Sequence, residues 1–329
     1  MEPLYNILVI GGSGLVGRKL IELLIENKFP FKTIKSTLSR SLVNNKLIVK
    51  NYEVELVSLD KEEVFDNVDF CFFCSTTEIS KKYVYKAKEK CKYVIDNSSY
   101  FRMNNDVPLI VPEINFKDIN SNLISNPNCS TIQSVLVLDQ IRKEYKINKI
   151  IYSTYQSCSG GGKEELNELI NSYYNKNKLY SYNLCDTCIS QIGEINETRF
   201  SLEELKMINE TKKVLNDYSL NIHAFCVRVP VNYCHGVFIY IEVTQEVNID
   251  RIIELIKEAP RLKYVNDNEI LYFQEAYEKD HVLVGRLKKD ITNPHAFSLF
   301  CVGDNLRVGA AYNAYNIANK LIGENNEKI

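Results

Sequence analysis

The sequence predicts an α/β chain in two parts: an N-terminal doubly wound parallel sheet, then an α+β domain built on a mixed sheet. Three observations carry this. Short apolar runs alternate with amphipathic stretches through the first third, the rhythm of βαβ units. Beyond residue 128 the strands lengthen and alternate, as in mixed or antiparallel sheets with helices packed on one side. The 329 residues also exceed the size at which one core usually stops growing, so two domains are expected. Their expected limits are 1–128 with 306–329, and 129–305.

In chain order, Tyr5 to Ile10 is an apolar strand that runs into glycines, and Leu15 to Glu26 follows with helical spacing. Val68 to Cys74, Tyr93 to Asn97 and Leu123 to Ser125 read as further strands, with a helix at Ser80 to Lys90. An apolar-periodic helix starts at Cys129 and reaches about Lys143. Strands then fall at Lys149 to Gln156, Phe225 to Pro230, Val237 to Val243 and Ala296 to Val302. Ser201 and Glu204 make a capping box, which starts a helix there. The last helix, Leu306 to Leu321, carries small and apolar residues at helical spacing and is expected to fold back onto the first domain. The Asn/Lys-rich tail from Gly323 is expected to fray.

Composition narrows the function classes. With 45% apolar and 25% charged residues the chain is not mainly disordered, and a formal charge of −2 gives no global attraction to nucleic acid or a membrane surface. No run of eighteen apolar residues marks a membrane span, and no basic segment with a cleavage site marks secretion. The 10 cysteines are scattered, which fits free thiols in a reducing, cytoplasmic compartment. Two C-x-x-C pairs, Cys71/Cys74 and Cys185/Cys188, have no histidine nearby. A spacing of three also puts Cys71 and Cys74 on opposite faces of a strand, so no metal is expected.

Gly11, Gly14 and Gly17 form G-x-x-G-x-x-G directly after a strand and at the mouth of a helix, a Rossmann-type turn. Glycines there permit a tight turn and close backbone approach, and the helix N-terminus attracts a pyrophosphate, so the segment Gly11, Ser13, Gly14, Leu15, Val16 and Gly17 is read as a dinucleotide cradle. An NAD-specific site offers a carboxylate to the ribose after the second strand, yet residues 27–52 contain no Asp or Glu and six Lys or Arg. Thr37, Ser39, Arg40 and Ser41 fit a 2′-phosphate instead, which favours NADP; the alternative is a solvated basic face.

Cys129 stands in Ser125-Asn126-Pro127-Asn128-Cys129-Ser130-Thr131, between a short strand and a helix. A helix N-terminus stabilises a thiolate through its dipole and free N–H groups. From spacing alone the segment suits a buried structural cysteine as well as a nucleophile. The polar strand-to-helix setting nevertheless separates Cys129 from the other thiols.

This segment resembles the S/C-N-P-N-C-[ST]-T nucleophile signature of the aspartate-semialdehyde dehydrogenases, and the similarity runs almost end to end. It continues through Val94 to Ser99 with Phe101-Arg102-Met103, Asp106 to Glu113, Ser153 to Gln156 with Ser159-Gly160, Glu203 to Lys206 with Glu210 to Lys213, Val227 to Pro230 with His235, and Asp304-Asn305-Leu306 with Gly309-Ala310-Ala311. The resemblance implies an NADP-dependent phosphorylating aldehyde dehydrogenase. It further implies that such an enzyme acts through a thioester on Cys129, between aspartate 4-semialdehyde with phosphate and 4-phospho-aspartate, on the route to lysine by way of diaminopimelate, threonine and methionine. It implies His235 as base, Gln156 and Asn128 orienting the substrate or thioester, Arg228 on the substrate carboxylate, Glu203 on its amino group, and Arg102 with Lys206 on phosphate. It implies cofactor contacts at Ser159, Gly160 and Asn305, and a homodimer formed by the second domain.

The chain departs from the family at Ser75-Thr76-Thr77-Glu78, where a glycine-containing turn is usual, at Cys185 to Ile192, and at Gly236, where serine is usual. A related reductase of N-acetyl-glutamyl phosphate and a non-catalytic paralogue are the competing readings. Asn128 and the Glu203/Lys206 pair weigh against the first, and retention of Cys129 with His235 weighs against the second.

Overall fold

The computed structural model describes residues 4–37, 46–174, 176, 179, 180 and 182–327. It divides into two units, Met1–Pro127 with Ala310–Ile329, and Asn128–Gly309.

The first unit runs β1 (Tyr5–Ile10), α1 (Leu15–Glu26), β2 (Phe31–Thr37), β3 (Leu47–Val49), β4 (Tyr52–Val57), β5 (Phe70–Phe73), α2 (Thr77–Lys90), β6 (Tyr93–Asp96), the single turn α3 (Pro112–Asn115) and β7 (Leu123–Ser125). Its seven strands lie in the order β3-β4-β2-β1-β5-β6-β7. Every neighbouring pair is parallel except β3 with β4. The chain moves outward from β1 in both directions, so the end of β1 is the point where strand order reverses and a crevice opens for ligands.

Both faces of this sheet are covered at its centre, which is why β1 and β5 read as continuous apolar runs rather than alternations. Ile7, Val9, Phe70 and Phe72 join Leu20 and Leu24 of α1 in one core. Leu8, Ile10, Cys71 and Phe73 join Val84 and Ala87 of α2 in the other. Cys74 packs against the first core and Cys71 lies within the second, the opposite-face placement that strand periodicity requires. The C-terminal helix, Tyr312–Glu327, brings Ala314, Ile317, Ala318 and Leu321 into the α1 core, as its small-residue pattern predicts. It starts after an irregular turn at Arg307–Ala311 and passes the expected stop at Leu321, staying helical to Glu327.

The second unit contains α4 (Cys129–Ile141), β8 (Ile147–Gln156), α5 (Gly162–Ser172), α6 (Leu202–Leu215), β9 (Asn221–Arg228), β10 (His235–Val243), α7 (Ile249–Glu258), β11 (Leu262–Tyr264), the short α8 (Phe273–Ala276), β12 (Val282–Lys289) and β13 (Ala296–Gly303). The sheet order is β11-β12-β13-β10-β8-β9. The outer pairs β11/β12 and β8/β9 are parallel and the rest antiparallel, so the sheet is mixed. One face is buried under α4 and α6: Tyr152 is fully covered and its hydroxyl lies 3.2 Å from Thr211 Oγ1. Helix α4 is buried nearly all round and packs against α6, α7, β10 and β13. The other face carries a cross-strand row of Phe225, Ser153, Phe238 and Phe300, in which Phe225 is 48% exposed. No helix among the described residues is long and apolar enough to cross a membrane.

Candidate active site

Register builds the centre of the site. Gln156, the last residue of β8, pairs with Arg228 on the parallel strand β9 and with His235 on the antiparallel strand β10. Cross-strand partners point to the same face of a pleated sheet. One row at the end of the sheet therefore carries an amide, a guanidinium and an imidazole, all three buried.

Helix α4 delivers the cysteine. Asn128 is its N-cap: the side-chain oxygen accepts from the N–H of Ser130 at 2.9 Å and of Thr131 at 3.4 Å, which makes Cys129 the first helical residue. The N–H of Asn128 donates to Glu210 Oε2 at 2.6 Å, and its Nδ2 donates to Glu203 Oε1 at 2.8 Å. Gln156 Nε2 donates to Ser130 Oγ at 2.6 Å and to Glu203 Oε1 at 3.1 Å, so both neighbours of Cys129 are tied to the row and to α6. Gly309 backs the cysteine, since a Cβ there would stand 2.9 Å from Cys129 Cβ. The buried thiols of Cys158 and Cys301 are pushed up to about 12 by burial, and burial also raises Cys71, Cys74, Cys226 and Cys234. Those six stay protonated at neutral pH and are poor nucleophiles.

Helix α6 owes its start to the expected capping box: Ser201 Oγ accepts from Glu204 N at 3.3 Å and Glu204 Oε2 accepts from Ser201 N at 2.7 Å. Glu204 Oε1 also accepts from the N–H of Cys226, pinning the helix to β9. This phase turns Glu203, Lys206 and Glu210 to one side. Lys206 donates to Glu203 Oε2 at 2.9 Å. Burial would raise the Glu203 carboxyl, but the Lys206 charge and hydrogen bond, with the bonds from Asn128 and Gln156, outweigh it and hold the group at about 2. Both of its oxygens thus have internal partners.

His235 is fully buried, and burial together with the Arg228 charge lowers it to about 3, so the ring is neutral near pH 7. Its Nδ1 accepts from the N–H of Ser157 at 3.0 Å and lies 3.1 Å from Ser157 Oγ. Ser157 Oγ and Ser159 Oγ both reach Asn305 Oδ1, at 3.2 and 3.1 Å. The same oxygen accepts from the N–H of Cys234 at 3.0 Å, a residue with φ of 72° immediately before the histidine. The side chains of Ser159 and Asn305 are thus joined with Ser157 in a buried hydrogen-bond network behind His235. Nε2 of His235 has no hydrogen-bond partner among the described residues. Gly160 borders it: a Cβ there would come within 3.0 Å of His235 Cε1 and Nε2 and 3.1 Å of Arg228 Nη1.

Arg228 Nε donates to Glu165 Oε1 at 2.7 Å and Nη1 to the Ser157 carbonyl at 2.8 Å. Ser130, Ser157, Glu165, Glu210 and Gly309 were absent from the site residues drawn from sequence. Ser157 adjoins Gln156 and could have been found by neighbourhood. Glu165, 63 positions from Arg228, gave no local signal.

The remaining expected residues belong to the other unit. Gly11 has φ of 89°, and a Cβ there would stand 2.4 Å from the Cys74 carbonyl oxygen; at Gly17 it would stand 2.3 Å from the Gly11 carbonyl oxygen. Helix α1 begins after Gly14 without a side-chain cap, at the end of β1 where strand order reverses. Tight glycine backbone followed by uncapped N–H groups fits a dinucleotide pyrophosphate. The Thr37 hydroxyl accepts from the N–H of Gly11 at 3.1 Å, so this side chain shapes the turn. Ser39, Arg40 and Ser41 lie outside the described residues. Arg102 is buried, with Nε donating to the Asn126 carbonyl and Nη2 to the Asn97 carbonyl, across the ends of β6 and β7.

Comparison with known proteins agrees with this architecture. Residues 6–122 match the model of the semialdehyde dehydrogenase NAD-binding domain, and 138–308 that of the semialdehyde dehydrogenase dimerisation domain. The chain is 35% identical to the aspartate-semialdehyde dehydrogenase of Bacillus subtilis, over 96% of this chain and 97% of that protein. It is also 35% identical to that of Shewanella violacea, over 98% and 99%. The solved aspartate semialdehyde dehydrogenase II of Vibrio cholerae complexed with ASA superposes with a TM-score of 0.92 at 32% identity, over 98% of this chain and 99% of that one. On this sequence and structural likeness, spanning nearly the whole length, the chain belongs to the aspartate-semialdehyde dehydrogenase family.

Proposed function

We propose that the chain catalyses the reversible, NADP-dependent conversion of L-aspartate 4-semialdehyde and phosphate to 4-phospho-L-aspartate, run in the cell as reduction of the acyl phosphate toward lysine, threonine and methionine. The observation that carries this reading is Cys129 at the first turn of α4, its neighbours bonded to the Gln156–Arg228–His235 row and to Glu203.

The Cys129 thiolate, favoured by the helix N-terminus, adds to the aldehyde carbon to give a thiohemiacetal. Loss of hydride and of the hydroxyl proton leaves a thioester; phosphate oxygen attacks its carbonyl, the C–S bond breaks, and the thiolate returns. NADP, held at Gly11 to Gly17, supplies the hydride acceptor when bound. His235 handles the proton at Nε2. While Nδ1 accepts the Ser157 N–H, the neutral ring carries its hydrogen on Nε2 and can donate to the substrate oxygen. When Nδ1 is protonated instead, Ser157 Oγ is in reach to accept it, and Nε2 presents a lone pair that takes the hydroxyl proton. Arg228 takes the substrate carboxylate, Glu203, kept ionised, its ammonium, and Arg102 with Lys206 the phosphate. Asn128 and Gln156 fix the thioester.

Preference for the 2′-phosphate is supported by the absence of Asp and Glu from 27–52 and assigned to Ser39, Arg40 and Ser41. The cofactor part is taken as 1–128 with 306–329 and the catalytic part as 129–305. A homodimer formed through the latter is supported by the dimerisation-domain match and by the exposed Phe225 beside the half-buried Phe238 and Phe300 on its sheet. Ten free thiols favour a reducing cytoplasm.

The test is phosphate-dependent NADP+ reduction with L-aspartate 4-semialdehyde, together with mass-spectrometric trapping of an acyl group on Cys129. Turnover of N-acetyl-glutamate semialdehyde alone would overturn the reading.

A further inference from the structure

We infer that Glu165 is a positioning residue for substrate recognition: its carboxylate holds the Arg228 guanidinium by one edge so that another N–H group meets the substrate carboxylate. This rests on the carboxylate-binding role proposed for Arg228.

Guanidinium offers five N–H donors in a fixed plane. In Arg228 the Nε hydrogen goes to Glu165 Oε1 at 2.7 Å and one Nη1 hydrogen to the Ser157 carbonyl at 2.8 Å, while Nη2 has no protein partner among the described residues. Two bonds on different nitrogens fix both the position and the plane of the fork, so the direction of Nη2 is set before ligand arrives. The pair is buried, with 7% and 11% of the two side chains exposed, where a carboxylate without a cation would be costly.

Backbone chemistry makes room for this carboxylate. A Cβ at Gly161 would lie 1.5 Å from Glu165 Oε2, so only glycine at 161 lets the side chain reach Arg228 from the first turn of α5. Glu165 and Arg228 line a cleft with Tyr180, Tyr182, Ile189 and Gln191. Ile189 reaches that position by pairing with Arg228 in both backbone hydrogen bonds, at 2.9 and 2.8 Å. Glu165 is thus built into the wall beside the one cation of the row and touches no other charged partner among the described residues.

The experiment compares the wild type, Glu165→Ala and Glu165→Asp with two aldehydes: L-aspartate 4-semialdehyde, and 3-aminopropanal, which lacks the carboxylate. Expected for Glu165→Ala is a KM rise of about tenfold or more for the first aldehyde with kcat within about threefold, the mark of lost uniform binding, and no KM change for the second. Glu165→Asp, which keeps the charge but withdraws it by one methylene, gives an intermediate rise and carries the test if the alanine variant does not fold. Melting temperature and NADP+ affinity are read on the same samples. An unchanged or lowered KM, or equal KM changes with both aldehydes, overturns the inference. A wild type that turns over neither aldehyde instead overturns the proposed function.

Discussion

Ser157→Ala isolates the proton-transfer step, because it removes one oxygen and leaves the backbone that does the positioning. The N–H that donates to His235 Nδ1 and the carbonyl that accepts from Arg228 Nη1 both belong to the main chain and survive. What disappears is Oγ, 3.1 Å from Nδ1, together with its bonds to Ser159 Oγ and Asn305 Oδ1, while Asn305 Oδ1 keeps Ser159 Oγ and the Cys234 N–H as donors. In the variant the tautomer with hydrogen on Nδ1 faces the Ser157 N–H and has lost its hydroxyl acceptor. Leaving a buried donor unsatisfied costs about 1–3 kcal/mol, or roughly 5- to 150-fold in the population of the ring form whose Nε2 can act as base. The kcat for thioester formation should fall by that factor, short of the roughly 10²–10⁴ expected for losing general-base catalysis altogether. The KM for the aldehyde should hold. Steady-state rates of phosphate-dependent NADP+ reduction measure this, and Ser157→Thr, which restores a hydroxyl, should recover part of the loss. A Ser157→Ala enzyme within twofold of wild-type kcat would refute the tautomer argument.

Gly160→Ala tests the open flank of the imidazole: φ at 160 is not positive, so the backbone accepts alanine, yet its Cβ would press on His235 and Arg228 at 3.0 and 3.1 Å. Overpacking of this kind costs about 1–3 kcal/mol, so kcat/KM should fall about tenfold or more while the melting temperature drops by only a few degrees. Glu203→Gln tests the ion cluster through pH. A carboxyl at about 2 in the fold and 4.5 outside it contributes stability, roughly 3 kcal/mol at about 1.4 kcal/mol per pH unit, that is fully present above pH 4.5 and lost as pH falls toward 2. Denaturant midpoints should show the variant weaker at pH 7 by that order and the gap closing near pH 2 to 3. Cys129→Ser should abolish the acyl adduct seen by mass spectrometry and leave NADP+ affinity unchanged; an adduct that persists on another cysteine would remove Cys129 from the mechanism.

The sequence made legible whatever depends on near neighbours. The glycine turn after β1, the cysteine at a helix start and the Ser201/Glu204 box each need only a few consecutive residues, and each holds its expected place. The strands β2, β3, β4, β11 and β12 escaped because they are short or carry charged residues among their apolar ones, as in Phe31-Lys32-Thr33-Ile34-Lys35, where partial burial blurs the alternation. Helix α5 lies in a polar stretch and was also missed; α7 was missed although Ile249, Ile252, Ile253 and Ile256 fall at helical spacing. Register was the larger gap. That Gln156 faces Arg228 and His235 at once follows from β8 being parallel to one neighbour and antiparallel to the other, a relation no local spacing encodes. The same holds for Glu165, whose partner lies on a different strand.

Burial then explains why charge-to-charge bonding recurs here. Arg228 and Glu203 are each only 6% exposed, and a lone ion at that depth would neutralise or unfold its surroundings. Each is tied to an opposite charge from within the chain, Glu165 and Lys206, at 2.7 and 2.9 Å. A substrate bearing both a carboxylate and an ammonium must therefore share these ions with partners already present, so its recognition depends on the N–H and oxygen lone pairs the internal bonds leave over. Selectivity at such a site is set as much by Glu165 and Lys206, which decide those directions, as by Arg228 and Glu203 themselves.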